Sequence, residues 1–345
     1  KMIREAEGQA EAILKVQEVE MKQNKRTEKV PVEYVPFSGK KKLALKAWRQ
    51  RYLFLMMLPA LICVILFSYI PMTGLYISFV NYVPRGDGFY QDMMAADFVG
   101  LDWFKYFFST DFAVIMRNTL CQSTLTLLFS FPAPILFAIC LNEIKNNKIK
   151  KAAQTASYLP YFISWVIAAN MFITFLSGDG IINDLLQALH ITNKDILFMQ
   201  EGKYFWWILA LANTWKNIGY DAIIYLAAIS GIDQEMYEAA EVDGATRTQK
   251  IWYITLPSLL PTIMVMLLLA VGGILNVGYE QQLLLGNDAV IQYSDVFDTY
   301  TYRYGIINGM YSYGTAVGLF KSAVSFTFVA ITNRLSRKHA DVSLY

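Results

Sequence analysis

The sequence predicts an all-α integral membrane protein with six membrane-spanning helices. Hydrophobic residues make up 55% of its 345 residues, and 15% are aromatic. The apolar residues form long blocks instead of the short periodic stripes that are typical of a soluble core. Six of these blocks are long enough to cross a bilayer, because roughly 20 residues at 1.5 Å rise span about 30 Å of hydrocarbon.

Each predicted span is a long apolar segment, and the six segments are 52–80, 118–141, 152–178, 204–232, 251–279 and 311–333. Charged side chains are found only in the fourth span, which contains Lys216 and Asp221, and in the sixth, which contains Lys321. Prolines at 59, 71, 132, 134 and 160 fall inside or at the ends of spans, where neighbouring helices can satisfy the freed carbonyls. We expect kinks at these positions.

The distribution of basic residues predicts the orientation of the chain. With the N-terminus in the cytoplasm, the inner segments contain 15 Lys and Arg residues and the outer segments contain 6. The positive-inside rule therefore favours cytoplasmic termini, in agreement with an even number of spans. The expected organisation is a cytoplasmic extension at 1–50, to which no function is assigned, a transmembrane domain at 51–334 and a cytoplasmic tail at 335–345.

Several functional classes lack their usual signals. The formal net charge is +2, and membrane orientation accounts for the basic residues, so no nucleic-acid partner is expected. Cys63, Cys121 and Cys140 lie in predicted spans without metal-site spacing, and the two histidines, His190 and His339, form no zinc motif. We therefore predict no metal and no catalytic residue. The sequence has no Gly-x-x-x-x-Gly-Lys-Ser/Thr phosphate loop, so ATP would have to be bound by another chain.

A short cytoplasmic segment at 233–257 is predicted to form two helices joined by a turn. Asp233 can cap the first helix, whose early carboxylates suit the helix dipole. Gly244 would end this helix, and the second helix would continue to Pro257 at the start of the fifth span. Such a knob can dock into a groove of a partner and transmit force. Judged from its residues alone, the segment fits an ordinary amphipathic interfacial loop about as well as it fits a partner-docking knob.

The spacing within this segment carries a specific resemblance. Glu238-Ala239-Ala240 is followed by Asp243-Gly244-Ala245 and then by Ile254-x-Leu256-Pro257. This pattern resembles the coupling loop of the inner-membrane permeases of binding-protein-dependent ABC importers. The resemblance assigns ATPase coupling to Glu238, Ala239, Ala240, Asp243, Gly244, Ala245, Ile254, Leu256 and Pro257.

The likeness covers nearly the whole membrane region and favours the carbohydrate branch of this family. The segments 98–101, 118–120, 159–165, 180–183, 225–229 and 311–321 are similar to oligosaccharide and polysaccharide permeases of the LplB group. The resemblance implies a type I importer, with a MetI-like permease fold and a cytoplasmic coupling helix, in a bacterial inner membrane. It also implies a second homologous permease, an ATPase pair that holds ATP and magnesium, and an extracytoplasmic sugar-binding protein, with no cofactor on this chain.

Polar residues within or next to the spans are candidates for the substrate path. Ionisable groups in lipid are costly and usually face a bundle interior, which draws attention to Lys216, Asp221 and Lys321. Asn276, Tyr279 and Glu280 add polar or aromatic contacts at the outer end of the fifth span, among other aromatic residues at 293, 297, 300, 302, 304 and 311.

Two interpretations of these residues stay open. In the first, the lysines attract an acidic oligosaccharide and the aromatic rings stack on sugar faces. In the second, the charges form a structural ion pair between helices, for example Asp221 with Lys321, or contact the other permease subunit, and the rings are an ordinary interfacial belt.

Other classes of membrane protein compete with the importer. A secondary transporter would also have several spans and intramembrane charges, but it has no need of the cytoplasmic knob. An intramembrane enzyme lacks support because the usual zinc and serine motifs are missing from the sequence. A receptor is disfavoured by the short loops.

Overall fold

The structure, a computed structural model, describes residues 50–339, and for 335–339 it describes the backbone alone. The expected extension at 1–50 and tail at 335–345 therefore lie almost entirely outside the described side chains. The chain divides into two compact units, of which the first ends at Ile70 and the second begins at Pro71. In the first unit a helix at Arg51–Val64 continues into a π-helical turn at Ile65–Tyr69, and none of these residues is buried.

The described residues are almost entirely helical, and a single isolated antiparallel bridge joins Val80 to Phe98. The α-helices in chain order are α1 Arg51–Val64, α2 Ile70–Met72, α3 Phe89–Met94, α4 Asp102–Ser109, α5 Phe112–Ser130, α6 Pro132–Asn142, α7 Asn147–Phe162, α8 Trp165–Phe175, α9 Ile181–Ala188, α10 Gly202–Ser230, α11 Gln234–Val242, α12 Arg247–Lys250, α13 Leu256–Gly272, α14 Tyr279–Leu285, α15 Ile291–Ser294, α16 Phe297–Thr301 and α17 Tyr311–His339. Tighter or wider turns occur at Thr73–Phe79 and Asp288–Val290, which are 3₁₀-helical, and at Ile251–Thr255 and Tyr302–Ile307, which are π-helical.

Within the described residues, four helical segments are long and apolar enough to cross a membrane: Arg51–Phe79, Phe112–Asn142, Arg247–Gly272 and Tyr311–Arg334. They correspond to the first, second, fifth and sixth predicted spans. The bent pair α7–α8 gives a fifth candidate at the third predicted span. The fourth predicted span is the continuous 29-residue helix α10, but its polar residues keep it outside the same hydropathy criterion.

Helix α10 combines length with polarity because it lies inside the bundle. It packs against α5, α6, α7 and α13, and ten of its residues are buried. On the inner half, Ala222, Tyr225 and Ile229 join residues of α6 and α13 in one apolar core. Since such a helix presents much of its surface to protein, its polar residues do not have to face lipid.

The third predicted span is broken rather than continuous. Helix α7 ends at Phe162, α8 begins at Trp165, and their axes differ by 100°. The expected kink at Pro160 therefore takes the form of a sharp break just beyond the proline. Ser164 caps the second helix, since its side chain accepts a hydrogen bond from the Ile167 amide at 3.4 Å.

The outer segment before α17 packs into a second core. Phe297 and Tyr300 of α16 are buried together with Phe107, Ile115 and Tyr313. Because the rings of Phe297 and Tyr300 are covered, they are part of the packing and do not offer a face to a sugar in this conformation.

Candidate functional site: a cytoplasmic coupling loop and an interhelical cavity

The first helix of the coupling loop, α11, forms as its sequence predicts. The Asp233 carboxylate caps it by accepting a hydrogen bond from the Glu235 amide at 3.0 Å. Glu235 lies in the first turn, where a carboxylate complements the positive end of the helix dipole. The helix therefore has a well-defined start, and three residues separate it from the end of α10 at Ser230.

Gly244 ends α11 through backbone geometry that favours glycine. Its φ is +79°, in the left-handed region that L-residues with a side chain rarely adopt. The Ala245 amide donates to the Ala240 carbonyl at 2.8 Å and the Gly244 amide to the Glu241 carbonyl at 3.1 Å. These two bonds form a Schellman motif, which satisfies carbonyls that the helix end leaves free. The prediction that Gly244 ends the helix is confirmed, and the structure shows that the residue does so in a left-handed conformation.

The rest of the loop holds α11 against the start of the fifth span. Thr246 caps α12 in a capping box with Gln249. The Tyr237 hydroxyl lies 2.8 Å from the Thr255 hydroxyl. The amine of Lys250 lies 3.3 Å from the carboxylate of Glu241. These contacts hold the two arms of the loop together.

The exposed surface of this loop is a mixture of acidic and apolar side chains. No residue of α11 is buried, and Val242 is 88% exposed. Glu238, Ala239, Asp243 and Gly244 are likewise exposed, whereas Ala240 and Ala245 are half-buried. A short helix that the rest of the chain leaves uncovered is suited to docking into a partner.

The last three motif residues have a different role from the earlier ones. Ile254 is buried within the π-helical turn Ile251–Thr255, and Leu256 and Pro257 form the first turn of α13. Proline is favoured there because its missing N–H is one that a helix start leaves free in any case. Leu256 packs against the apolar core formed by α6, α10 and α13, so this residue joins the loop to the membrane domain, whereas Pro257 is exposed.

An interhelical cavity of about 470 Å³ lies among α5, α10 and α13, and it reaches the first residue of α8. Its wall is apolar in greater part, with hydrogen-bonding groups set into it. The polar side chains of the lining are Ser123, Thr126, Ser130, Asn213, Asn217, Asp221, Asn276 and Gln281, and the aromatic ones are Phe131, Trp165 and Tyr225. This combination of flat rings with amide, hydroxyl and carboxylate groups can bind a polyhydroxylated solute.

The polar lining comes from two helix faces. Asn213, Asn217 and Asp221 are spaced by four residues on α10, so their side chains share one face. Hydroxyl residues at 123, 126 and 130 share a face of α5 in the same way. The two faces touch where the Ser130 and Thr214 hydroxyls lie 2.7 Å apart. Sequence analysis did not single out these rows, although their regular spacing inside apolar spans was the signal that could have revealed them.

The structure brings together only some of the predicted path residues. Asp221 and Asn276 line the cavity, whereas Lys216, Tyr279 and Glu280 do not. The Tyr279 ring packs edge-on against Tyr302 with centroids 5.3 Å apart, and Glu280 is exposed. The Lys216 amine is directed to main-chain carbonyls at the α7–α8 break.

Lys321 belongs to a structural ion pair and also lies outside the cavity lining. Its amine lies 2.6 and 2.8 Å from the two carboxylate oxygens of Asp298 on α16, so the suggested pairing with Asp221 is wrong. The alternative of a structural ion pair between helices is therefore confirmed for Lys321, with a different partner. In this conformation neither lysine is available to attract an acidic sugar.

We expect Lys321→Met to lower the unfolding free energy by about 2 kcal/mol, because it removes hydrogen bonds to a charged group and leaves Asp298 without them. Thermal unfolding of the purified protein measures this change. The double variant Lys321→Met with Asp298→Asn should recover part of the loss, because it removes the unpaired charge. Equal unfolding temperatures for Lys321→Met and the unsubstituted protein would contradict a stabilising role.

A second polar cluster fastens the outer segment to α5. The Asn118 amide donates hydrogen bonds to the carbonyls of Gln292 and Asp295, each at 2.9 Å. Burial raises the pKa of the Asp295 carboxyl above its usual range, while the Thr299 hydroxyl and the Arg303 guanidinium, which both donate to it, act in the opposite direction. The asparagine that opens the second predicted span therefore serves packing.

Together, a helical membrane domain, a polar cavity between its helices and an uncovered helix α11 define a membrane transport subunit that works with a partner. Residues 124–340 match the family described as the inner membrane component of binding-protein-dependent transport systems. The chain belongs to this family.

Curated relatives agree along most of the chain. The protein LplB of Bacillus subtilis is 40% identical over 299 residues, which cover 86% of this chain and 92% of that protein. The polygalacturonan/rhamnogalacturonan transport system permease protein YteP of the same organism is 39% identical over 308 residues, covering 89% and 94% respectively. The similarity therefore extends well beyond the coupling loop.

A solved structure shows the same architecture. A chain in the crystal structure of a bacterial alginate ABC transporter, in complex with an alginate pentasaccharide-bound periplasmic protein, has 39% sequence identity. The TM-score is 0.79, and the match covers 88% of this chain and 100% of that one. The predicted permease fold is confirmed.

Proposed function

We propose that this chain is the translocation subunit of an ATP-driven importer for oligosaccharides. The observation that carries the proposal is the continuity of α10, which lines the polar cavity along one face and leads after three residues into the exposed coupling helix α11. A single rigid element thus joins the surface where a partner would act to the space where a solute would pass. The similarity to a polygalacturonan/rhamnogalacturonan permease and to the alginate transporter supports a carbohydrate solute.

The proposed assembly contains this chain, a second homologous permease, two ATPase subunits and an extracytoplasmic binding protein in a bacterial inner membrane. ATP and magnesium would be held by the ATPase chains, and this chain would contribute no hydrolytic residue. Both termini would face the cytoplasm, as the basic residues indicate. The exposed residues of the coupling loop, Glu238 to Gly244, would contact the ATPase, and Ile254 and Leu256 would anchor the loop.

Within the cavity, Asn213, Asn217 and Gln281 would supply amide donors and acceptors to sugar hydroxyls, and Trp165 would supply a ring face. Asp221 can accept hydrogen bonds from several hydroxyls at once. The cavity lining contains no Lys or Arg, so hydrogen bonding rather than charge attraction would hold the sugar during passage. Discrimination in favour of an acidic sugar would then rest with the binding protein.

The test is uptake into proteoliposomes that contain the complete complex. Labelled trigalacturonate, an alginate trisaccharide and a neutral arabinotriose are supplied together with the binding protein, with internal ATP, with a non-hydrolysable ATP analogue, or with an ion gradient alone. We expect uptake of at least one oligosaccharide with ATP only. Uptake that follows the ion gradient without ATP would replace the proposal with the secondary-transporter alternative.

A further inference from the structure

Lys216 is a buried cation whose amine is bound entirely by main-chain groups of another helix. The residue is 6% exposed. Its amine donates to the carbonyls of Pro160 at 3.1 Å, of Tyr161 at 2.9 Å and of Ile163. A lysine ammonium has three N–H donors, so all three are used. Among the residues that the structure describes, no carboxylate forms an ion pair with it.

The three carbonyls belong to the break between α7 and α8. The last carbonyls of a helix lack partners within it and form the negative end of its dipole. At this break the chain turns by 100°, so a continuing helix does not supply donors to these carbonyls. The Pro160 carbonyl also accepts from the Ile163 amide at 3.2 Å. The lysine therefore supplies the donors and the positive charge that this sharp bend requires.

Close packing on both sides of the amine holds α7 against α10. Gly219 lies so near the backbone of Ser157 that an added Cβ would also come within 2.9 Å of the Ser157 hydroxyl oxygen. The rings of Tyr220 and Tyr161 are stacked, with centroids 3.8 Å apart and planes 3° apart. Lys216, Gly219 and Tyr220 thus form one contact surface, and α10 cannot move here without moving the end of α7.

Trp165, the first residue of α8, connects this contact to the cavity. Its side chain lines the cavity wall. The Lys216 amine lies 5.5 Å from the centroid of its ring, within the range of a cation–π interaction. At its other end α10 finishes at Ser230 and leads into α11. Helix α10 would therefore receive the movement of the coupling loop, and the same helix carries Lys216, which binds the α7–α8 break next to Trp165.

We propose that Lys216 is a positioning residue that transmits movement of α10 to the α7–α8 break and so keeps Trp165 in the cavity wall. This inference rests on the proposed transport function, but the bend itself can be measured without transport. The role differs from the attraction of an acidic sugar that the sequence suggested. It requires donors and a positive charge at residue 216 and no contact between its amine and the solute.

The central experiment compares Lys216→Met with Lys203→Met, an exposed lysine at the outer end of the same helix whose ion pair with Glu201 is at the surface. In the assembled complex, Lys216→Met should take up at least about tenfold less trigalacturonate per ATP hydrolysed, because methionine removes all three hydrogen bonds and loss of even one hydrogen bond to a charged group shifts an equilibrium by about that factor. Lys203→Met should behave as the unsubstituted complex. Lys216→Arg keeps a positive charge and several donors. It should therefore recover part of the sugar uptake per ATP hydrolysed that Lys216→Met loses.

Hydrogen exchange in detergent provides a readout that does not depend on transport. Backbone amides of residues 163–168 should exchange faster in Lys216→Met than in Lys203→Met, because the α7–α8 break loses the hydrogen bonds that the Lys216 amine donates to it. If Lys216→Met fails to assemble, Lys216→Gln, which keeps two donors without the charge, is measured in the same way. Unchanged exchange in the variant that assembles would overturn the proposal, whatever the uptake result.

A double variant tests whether Lys216 acts through Trp165. If it does, Lys216→Met combined with Trp165→Ala should be little worse than Trp165→Ala alone in sugar taken up per ATP. Additive losses would overturn the proposed route. Failure of the unsubstituted complex to take up any oligosaccharide with ATP would count against the proposed function alone, since the exchange measurement would still decide the role of Lys216.

Discussion

Replacing Gly244 by valine is expected to lower ATP-driven uptake by at least about tenfold, whereas replacing it by asparagine is expected to preserve most of it. Gly244 ends the coupling helix in the left-handed region of backbone conformation. An L-residue pays about 1–2 kcal/mol in that region, a β-branched one is especially disfavoured, and asparagine is among the residues that tolerate it. Since about 1.4 kcal/mol corresponds to a factor of ten in an equilibrium, valine should displace the turn and misplace α11.

The measurement is uptake of a labelled oligosaccharide by reconstituted complex, together with co-purification of the ATPase subunits. Among the residues that the structure describes, none beyond the two chain neighbours comes within 4 Å of a Cβ placed on Gly244, so neither side chain meets an obstacle in this part of the chain. The pair therefore separates backbone conformation from size. Equal activity of both variants would show that the left-handed turn is dispensable, and equal loss would show that a partner surface excludes any side chain there.

Replacing Ala270 by tryptophan is expected to block sugar uptake while leaving the complex assembled and its ATPase active. Ala270 lies on α13 in the wall of the cavity. A tryptophan side chain directed into a space of about 470 Å³ would occupy much of the volume that a sugar ring needs. Because the coupling loop is untouched by this substitution, ATP hydrolysis should continue without transport. We expect uptake to fall by more than about tenfold, in line with the steric cost of overpacking.

Leu260→Trp on the same helix is the matched control, because Leu260 is 51% exposed and lies outside the cavity lining. Uptake and ATP hydrolysis should both be retained in this variant. Measuring both sugar uptake and the ATPase rate for the two variants decides whether the solute passes through the cavity. Normal uptake by Ala270→Trp, in a complex that binds its ATPase, would mean that the solute passes elsewhere.

The coupling loop shows which structural features can be predicted from neighbouring residues in the sequence. Asp233 and Gly244 act within a few residues of their own positions, one by capping a helix and the other by adopting a backbone conformation that disfavours side chains. Such effects depend on neighbours in the chain, so the start and the end of this helix could be predicted. The long apolar spans were predictable for a related reason, because bilayer thickness sets their length.

Charged residues within the spans illustrate the opposite case. The sequence marked Lys216, Asp221 and Lys321 as interior residues, and only Asp221 lines the cavity. Lys216 found its partners 53 to 56 residues away in carbonyls freed by a bend, and Lys321 found Asp298 in a short helix of the outer segment. A hydropathy pattern records the cost of burying a charge but does not identify the group that offsets it.

What the sequence by itself determined is therefore the class of protein, the positions of the long apolar helices to within several residues, and the start and end of the first helix of the coupling loop. These follow from composition, length and short-range backbone preference. The tertiary structure alone decided where the third span breaks, which polar rows meet around the cavity and which partner each buried charge takes. The reason is physical: those features depend on the packing of α5, α7, α10 and α13 against one another, and packing brings together residues that are far apart in the chain.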